Sequence, residues 1–148
     1  MTIIPSANYT EQLLQIRPAE FSVFRKQHES ELINGQRPFT DYMRERFREK
    51  GIQQKNAFIQ ADLPMSYGYK LISGEKHTRQ RDTILRICLA AKLSLEQTQE
   101  ALTLNSMASL HYRIPRDMAL IVAINNRMFD IHSVDMFLHE NGLLPLKK

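Results

Sequence analysis

Apolar side chains return every three or four residues along almost the whole chain, and no stretch alternates apolar with polar as a half-buried strand must. This periodicity confines the fold to packed helices. The polar gaps are short, and 148 residues hold only 5 Gly and 6 Pro, too few turn formers for a sandwich or a barrel. A chain of this length supports one compact domain, alone or with an appendage, and buries about two-thirds of its unfolded surface, so no disulfide or metal staple is required. With 43% hydrophobic and 24% charged residues, wholesale disorder is excluded.

Start and stop signals divide the pattern. Arg17-Pro18-Ala19-Glu20 opens a first helix whose apolar face carries Phe21, Phe24 and Leu32, with breaks at Gly35 and Pro38. Thr40 is the expected N-cap of a second helix that runs to Lys50 and ends at Gly51. A short helix over 53–61 turns Ala57, Phe58 and Ala61 inward. Asp62-Leu63-Pro64 makes a turn, and a second short helix covers 65–73 and stops at Gly74. A fifth starts near Thr78 or Arg79 and ends at Ala91. Ser94-Leu95-Glu96-Gln97 reads as a capping box for a sixth. Further helices start near Pro115 and Asp130, and the apolar tail from Gly142 to Leu146 docks back. Arg81-Asp82 and Arg116-Asp117 echo one another, each placing Asp in a first turn where the helix dipole favours it; we read this as capping chemistry.

Charge is unevenly spread. The net charge is +4, and residues 65–92 carry six basic against two acidic groups, whereas the flanks are near neutral. Any polyanion is expected on that stretch. The alternating Arg44, Glu45, Arg46, Arg48 and Glu49 read as a solvated helix face, and Cys88 as a small core residue. A single cysteine excludes an internal disulfide, and the expected location is cytoplasmic. Met1 to Asn8 lacks the pattern of a signal peptide, and no apolar run is long enough for a membrane span. The five histidines are dispersed, without zinc spacing, and no phosphate loop or nucleophile elbow is visible. No metal, no cofactor and no catalytic activity are expected.

Two short helices joined by a tight turn, between longer helices, are the arrangement of a helix-turn-helix. In that arrangement the second short helix lies in the major groove and the first approaches the backbone. Gln53, Gln54 and Lys55 sit at the start of the first. Ser66, Tyr67, Tyr69 and Lys70 lie on or near the outer face of the second, and Lys76, His77 and Arg79 follow as phosphate-binding groups. For Tyr67 and Tyr69 the competing roles are core packing and a protein interface.

On these residues the chain resembles the Xre/lambda-repressor-like helix-turn-helix family. The likeness is carried by Gly51-Ile52-Gln53-Gln54, Leu63-Pro64-Met65-Ser66, Gly74, the run Arg79 to Leu85, and Leu93-Ser94-Leu95-Glu96, over about residues 39–104. A similar tail in a bacterial subgroup, with Ser66-Tyr67-Gly68-Tyr69-Lys70-Leu71-Ile72-Ser73-Gly74 and Leu110-His111-Tyr112 before Arg116-Asp117, extends it to the whole chain. The resemblance implies five packed helices, often a dimer, and operator-like DNA. It makes Gln54 a phosphate contact and Ser66, Tyr67, Tyr69 and Lys70 groove-facing. This chain departs from the family at Phe58 (usually Ala), Asp62 (usually Gly), Gly68 (usually apolar) and Ile72 (usually Glu). The missing side chain at Gly68 is expected to accommodate Phe58. The reading helix also has no Arg, Asn or Gln, the residues that grip a guanine or adenine edge with two hydrogen bonds.

The expected protein is therefore all-α, a compact helical bundle containing a lambda-repressor-like helix-turn-helix with extra N- and C-terminal helices. The divisions fall at 1–38, 39–104 and 105–148. Its expected function is sequence-specific binding of double-stranded DNA as a transcriptional regulator, as a homodimer joined mainly through 106–148. The alternative is a non-enzymatic module that binds a protein through the same scaffold.

Overall fold

The periodic apolar pattern folds as helices throughout: among the described residues, 6–32 and 37–147 in the computed structural model, there are nine α-helices and no strand. The fold is all-α. The expected break at Gly35 and the first five residues lie outside the described residues. The chain divides into two compact units, Met1–Gly35 and Gln36–Lys148.

The first unit holds α1 (Ser6–Gln15), a 3-10 turn at Pro18–Glu20, α2 (Phe21–Gln27) and a 3-10 turn at Glu29–Glu31. The single helix expected from Arg17 onward is thus split, and α1 was not foreseen. Phe24 packs tilted on the His28 ring at 4.3 Å, and Tyr9 meets both rings edge-on. Phe21, expected inward, is 52% exposed.

The second unit contains α3 (Pro38–Lys50), α4 (Gln54–Gln60), α5 (Met65–Ser73), α6 (Arg81–Ala90), α7 (Leu95–Leu104), α8 (Pro115–Asn125) and α9 (Ile131–Glu140). Helix α3 starts two residues before the expected cap. Pro38 supplies a pre-set φ at the first helical position, so Arg37 flanks the helix and Thr40 is buried inside it. Gly51 closes it at φ 64, in the left-handed region. Seven of the ten residues of α6 are buried, which makes it the central helix of the core, flanked by α4, α7 and α9. It begins at Arg81, later than expected, because Thr78 Oγ1 accepts the Gln80 amide and holds the preceding residues as a turn. The box before α7 forms in both directions: Ser94 Oγ accepts from Gln97 N at 3.2 Å, and Gln97 Oε1 accepts from Ser94 N at 3.0 Å.

The repeated Arg-Asp pair does something other than capping. Arg81 donates two hydrogen bonds to Asp117, at 3.2 and 2.5 Å, and Arg116 donates two to Asp82, both at 2.9 Å. Each arginine crosses to the aspartate of the other copy, so the starts of α6 and α8 are braced twice. Asp117 is 1% exposed and also accepts the His111 amide at 2.9 Å. A buried carboxylate persists only with such partners. Arg116 further binds the carbonyls of Leu144 and Pro145, and Asp135 accepts the amides of Leu146 and Lys147. These bonds seat the tail, and Leu146 is 3% exposed.

Most of the C-terminal apolar surplus completes this core. Leu120 and Ile124 are buried in the core, and Ile121, Phe137 and Leu143 pack half-buried against that core. Met136 and Leu144 remain exposed. On α3, Arg44, Glu45, Arg48 and Glu49 are exposed as expected, but Arg46 is half-buried, with its guanidinium 4.8 Å from the centre of the Tyr42 ring. Cys88 is fully buried, and burial pushes its thiol up to about 12.

Candidate nucleic-acid interface

Helices α4 and α5 are joined by four residues, 61–64. Asp62 takes φ 56, the left-handed region, which glycine adopts more readily than aspartate. The Leu63 amide returns to the Phe58 carbonyl at 3.0 Å. From beneath, Arg86 on α6 donates to the carbonyls of Ala61 at 3.0 Å and Asp62 at 3.3 Å. Pro64 flanks α5, where a missing N–H costs nothing. The Asp62 carboxyl pairs with Lys147, which lowers its pKa below the ordinary value.

Helix α5 packs closely on α4 because it has no side chain at the contact. A Cβ placed on Gly68 would lie 2.5 Å from Phe58 Cγ. Gly68, Leu71 and Ile72 form the buried face. At about 100° per residue, Ser66, Tyr69, Lys70 and Ser73 share the opposite side. Ser66 and Tyr69 are exposed, while Lys70 and Ser73 are half-exposed. The Tyr69 ring stands edge-on against Phe58, with centroids 5.0 Å apart, yet 44% of the residue stays open. Tyr67 projects to the flank, half-buried against the core, and does not join that face.

The expected cations lie on α5 itself, on the start of α4 and on the connection to α6. Gln54, half-buried, and Lys55, exposed, are the first two residues of α4. Beyond Gly74, which takes φ 83, the Lys76 amide folds back to the Lys70 carbonyl at 3.0 Å. This holds Lys76 at the end of α5. Lys76, His77 and Arg79 are all exposed on the connection to α6. Ion pairs among the described residues of this unit engage Arg46, Arg48, Arg81, Arg116 and Lys147. They leave Lys55, Lys70, Lys76 and Arg79 without a carboxylate. Arg44, Lys50, Lys92 and Arg113 are equally outside ion pairs, so position rather than pairing singles out the α5 face.

The basic excess expected over 65–92 is smaller at the surface than in the sequence. Arg81 is bound to Asp117, and Arg86 is spent on the carbonyls of the 61–64 turn. The cations of that stretch left on or at the end of α5 are Lys70 and Lys76, with Arg79 exposed on the connection that follows.

Two residues near this face lie outside the expected set. Ser73 lies seven positions after Ser66, so helical spacing alone could have placed it on the outer side. Arg37 is 36 residues from Ser73 in sequence, yet its Nη1 donates to the Ser73 carbonyl at 2.9 Å. Only the fold brings it to the end of α5. Among the described residues, no group of three or more His, Cys, Asp or Glu is arranged to hold a metal ion. No helix among them is long and apolar enough to cross a membrane. What the interface offers is a half-aromatic, half-hydroxylic helix face rimmed by permanent cations, with no nucleophile–base pair on it. No family model, no curated protein and no solved structure matches this chain, so its role is read from this geometry.

Proposed function

We propose that the chain is a DNA-binding transcriptional regulator of the Xre-like helix-turn-helix kind. It acts by occupying double-stranded DNA, without catalysis. In this reading α5 enters the major groove, with Ser66 and Tyr69 toward base edges. Lys55, Lys70, Lys76, His77 and Arg79 meet phosphates, and Gln54 approaches the backbone at the start of α4. The observation that carries the reading is the outer face of α5: a short helix closely seated on α4, left open in its own unit, with Lys70 on it and Lys76 held at its end, neither in an ion pair among the described residues. Phosphate contacts dominate affinity, and base contacts give preference. A face without a two-bond reader predicts a modest ratio of specific to random binding.

The test is binding of a labelled duplex as a function of salt, with and without random-sequence competitor. The reading requires an affinity that falls linearly with salt on logarithmic axes. Absence of duplex binding at low salt overturns it.

A second reading, a protein-interaction module, is favoured by one observation. The exposed side of α8 presents Met118 and Val122, about half open, with Ile114 before them, and carries no charge. Such a face suits a protein partner or a second copy of the chain.

A further inference from the structure

A cleft of about 430 Å³ opens beside the end of α5, between the start of α3, the connection 74–78 and the end of α7. Its volume falls within the range of small-ligand sites, about 300–1,000 Å³. The lining is one-sided in charge. Arg37, Lys76 and His77 stand on it, and no acidic side chain does, in a chain that has 16. Arg37 gives one nitrogen to the neutral carbonyl of Ser73, and among the described residues no other acceptor takes up the rest of its donor fork. Neither Arg37 nor Lys76 belongs to an ion pair of the described residues. Phe39, Leu71, Ile84 and Leu104 add apolar side chains to the same lining, beside the neutral polar Thr40, Thr78, Asn105 and Ser106. A lining that joins cations to hydrocarbon, without an acid, suits a molecule that carries both an anionic head and an apolar body.

We propose that this cleft binds a small amphipathic anion, a single carboxylate or phosphate head on an apolar body. Arg37 and Lys76 hold the head, and the body lies against Phe39, Leu71 and Leu104. A planar fork meeting a carboxylate or phosphate gives two parallel charge-assisted hydrogen bonds. The site adjoins the nucleic-acid face, because Lys76 and His77 belong to both. An anion seated on them withdraws them from phosphate, so ligand and duplex oppose each other, and by linkage equally in both directions. This last step rests on the DNA-binding reading; the cleft's occupancy does not.

The experiment is a titration of the isotope-labelled full chain with hexanoate and phenyl phosphate, followed by amide resonances. Hexanol and inorganic phosphate serve as body-only and head-only comparators. The expected result is saturable shifts confined to residues 37–40, 74–78 and 104–106. Half-saturation near about 1 mM suits ligands of so few heavy atoms. Both comparators should bind at least tenfold more weakly. Arg37→Gln should weaken the better anion about tenfold, in line with a charge-assisted hydrogen bond. The tighter of the two anions tells a carboxylate site from a phosphate site. The proposal is overturned if hexanol or inorganic phosphate matches the amphipathic anions, if shifts lie elsewhere, or if none saturates. These comparisons use the unaltered protein, so they decide the matter even if Arg37→Gln fails to fold. In a second arm, the better anion should weaken duplex binding while hexanol does not. If the chain binds no duplex at all, the function reading fails and the titration still judges the cleft.

Discussion

Gly68 and Phe58 occupy one volume: a Cβ on Gly68 would stand 2.5, 2.6 and 2.8 Å from three ring carbons of Phe58, which is itself fully buried. Gly68→Ala should therefore destabilise the protein, although alanine favours a helix by about 1 kcal/mol. Overpacking of this kind costs about 1–3 kcal/mol, so the net loss is about 1 kcal/mol. In a Phe58→Leu background the same change should be neutral or stabilising. Urea denaturation of the four proteins of this cycle measures the coupling. Additive effects would show that the two positions do not compete.

The crossed arginine–aspartate pairs are unequal. Asp117 is buried and serves three donors, whereas Asp82 is half-buried and serves two. Removing one partner of a buried pair costs about 3–5 kcal/mol. Asp117→Ala should approach that range, and Asp82→Ala should stay near about 1 kcal/mol. Equal losses in thermal or urea denaturation would contradict this ordering.

Asp62 occupies a left-handed conformation that glycine adopts without strain. Its partner Lys147 is half-exposed, so the ion pair offsets little. Asp62→Gly should raise stability by about 0.5–1 kcal/mol. A fall in the urea midpoint would show that the Lys147 pair outweighs the backbone strain.

For duplex binding, Lys76→Ala and Arg79→Ala should each weaken specific and random DNA alike, and flatten the salt dependence by about one unit of slope. Ser66→Ala and Tyr69→Ala should instead reduce preference for a selected site, at the low end of about 1–3 kcal/mol. Arg48, already paired with Glu45, and Arg113, on the exposed loop before α8, are the controls and should change little. If the controls cost as much as Lys76→Ala, the footprint lies elsewhere. Anisotropy titrations at several salt concentrations read all six variants.

Asp130 caps α9 by accepting the amide and hydroxyl of Ser133 at 3.0 and 2.8 Å. Those bonds lower its carboxyl pKa below the ordinary 3.8. The unfolded chain then binds the proton more readily, so this cap's contribution is complete above pH 3.8 and disappears as pH falls through the lowered folded value. Asp130→Ala should cost about 1 kcal/mol at neutral pH. The gap between variant and parent should close on the acid side of that window. A gap that persists there would assign the loss to something other than the carboxylate.

Local chemistry made much of the fold legible. Gly51, Gly74, the Ser94 box and the Asp62–Pro64 turn each announce a boundary through a requirement on their own backbone, and each boundary falls within a residue or two of its expected place. The exchange of volume between Phe58 and Gly68 is also readable, because against the family pattern the chain gains a ring at one position and loses a side chain at the other. What escaped was long-range. The Arg81–Asp117 and Arg116–Asp82 crossing spans more than thirty residues, and from sequence each aspartate looks like a helix-start residue. Thr40 looked like a cap because the sequence does not show that Pro38 is free to open the helix. Of the candidate interface, helical spacing correctly grouped Ser66, Tyr69 and Lys70. The half-buried flank position of Tyr67 and the arrival of Arg37 depend on neighbours from other helices.

Arg86 reaches out of the central helix to hold the turn between α4 and α5 by its two carbonyls. The face of α5 is thereby fixed before anything touches it. In the proposed function a duplex meets a finished template, and no segment of 54–73 has to order on contact. The heat-capacity change of binding should then be small, set by the apolar area covered and not enlarged by coupled folding. Cutting the clamp would convert the same surface from one that is merely covered into one that must also be built.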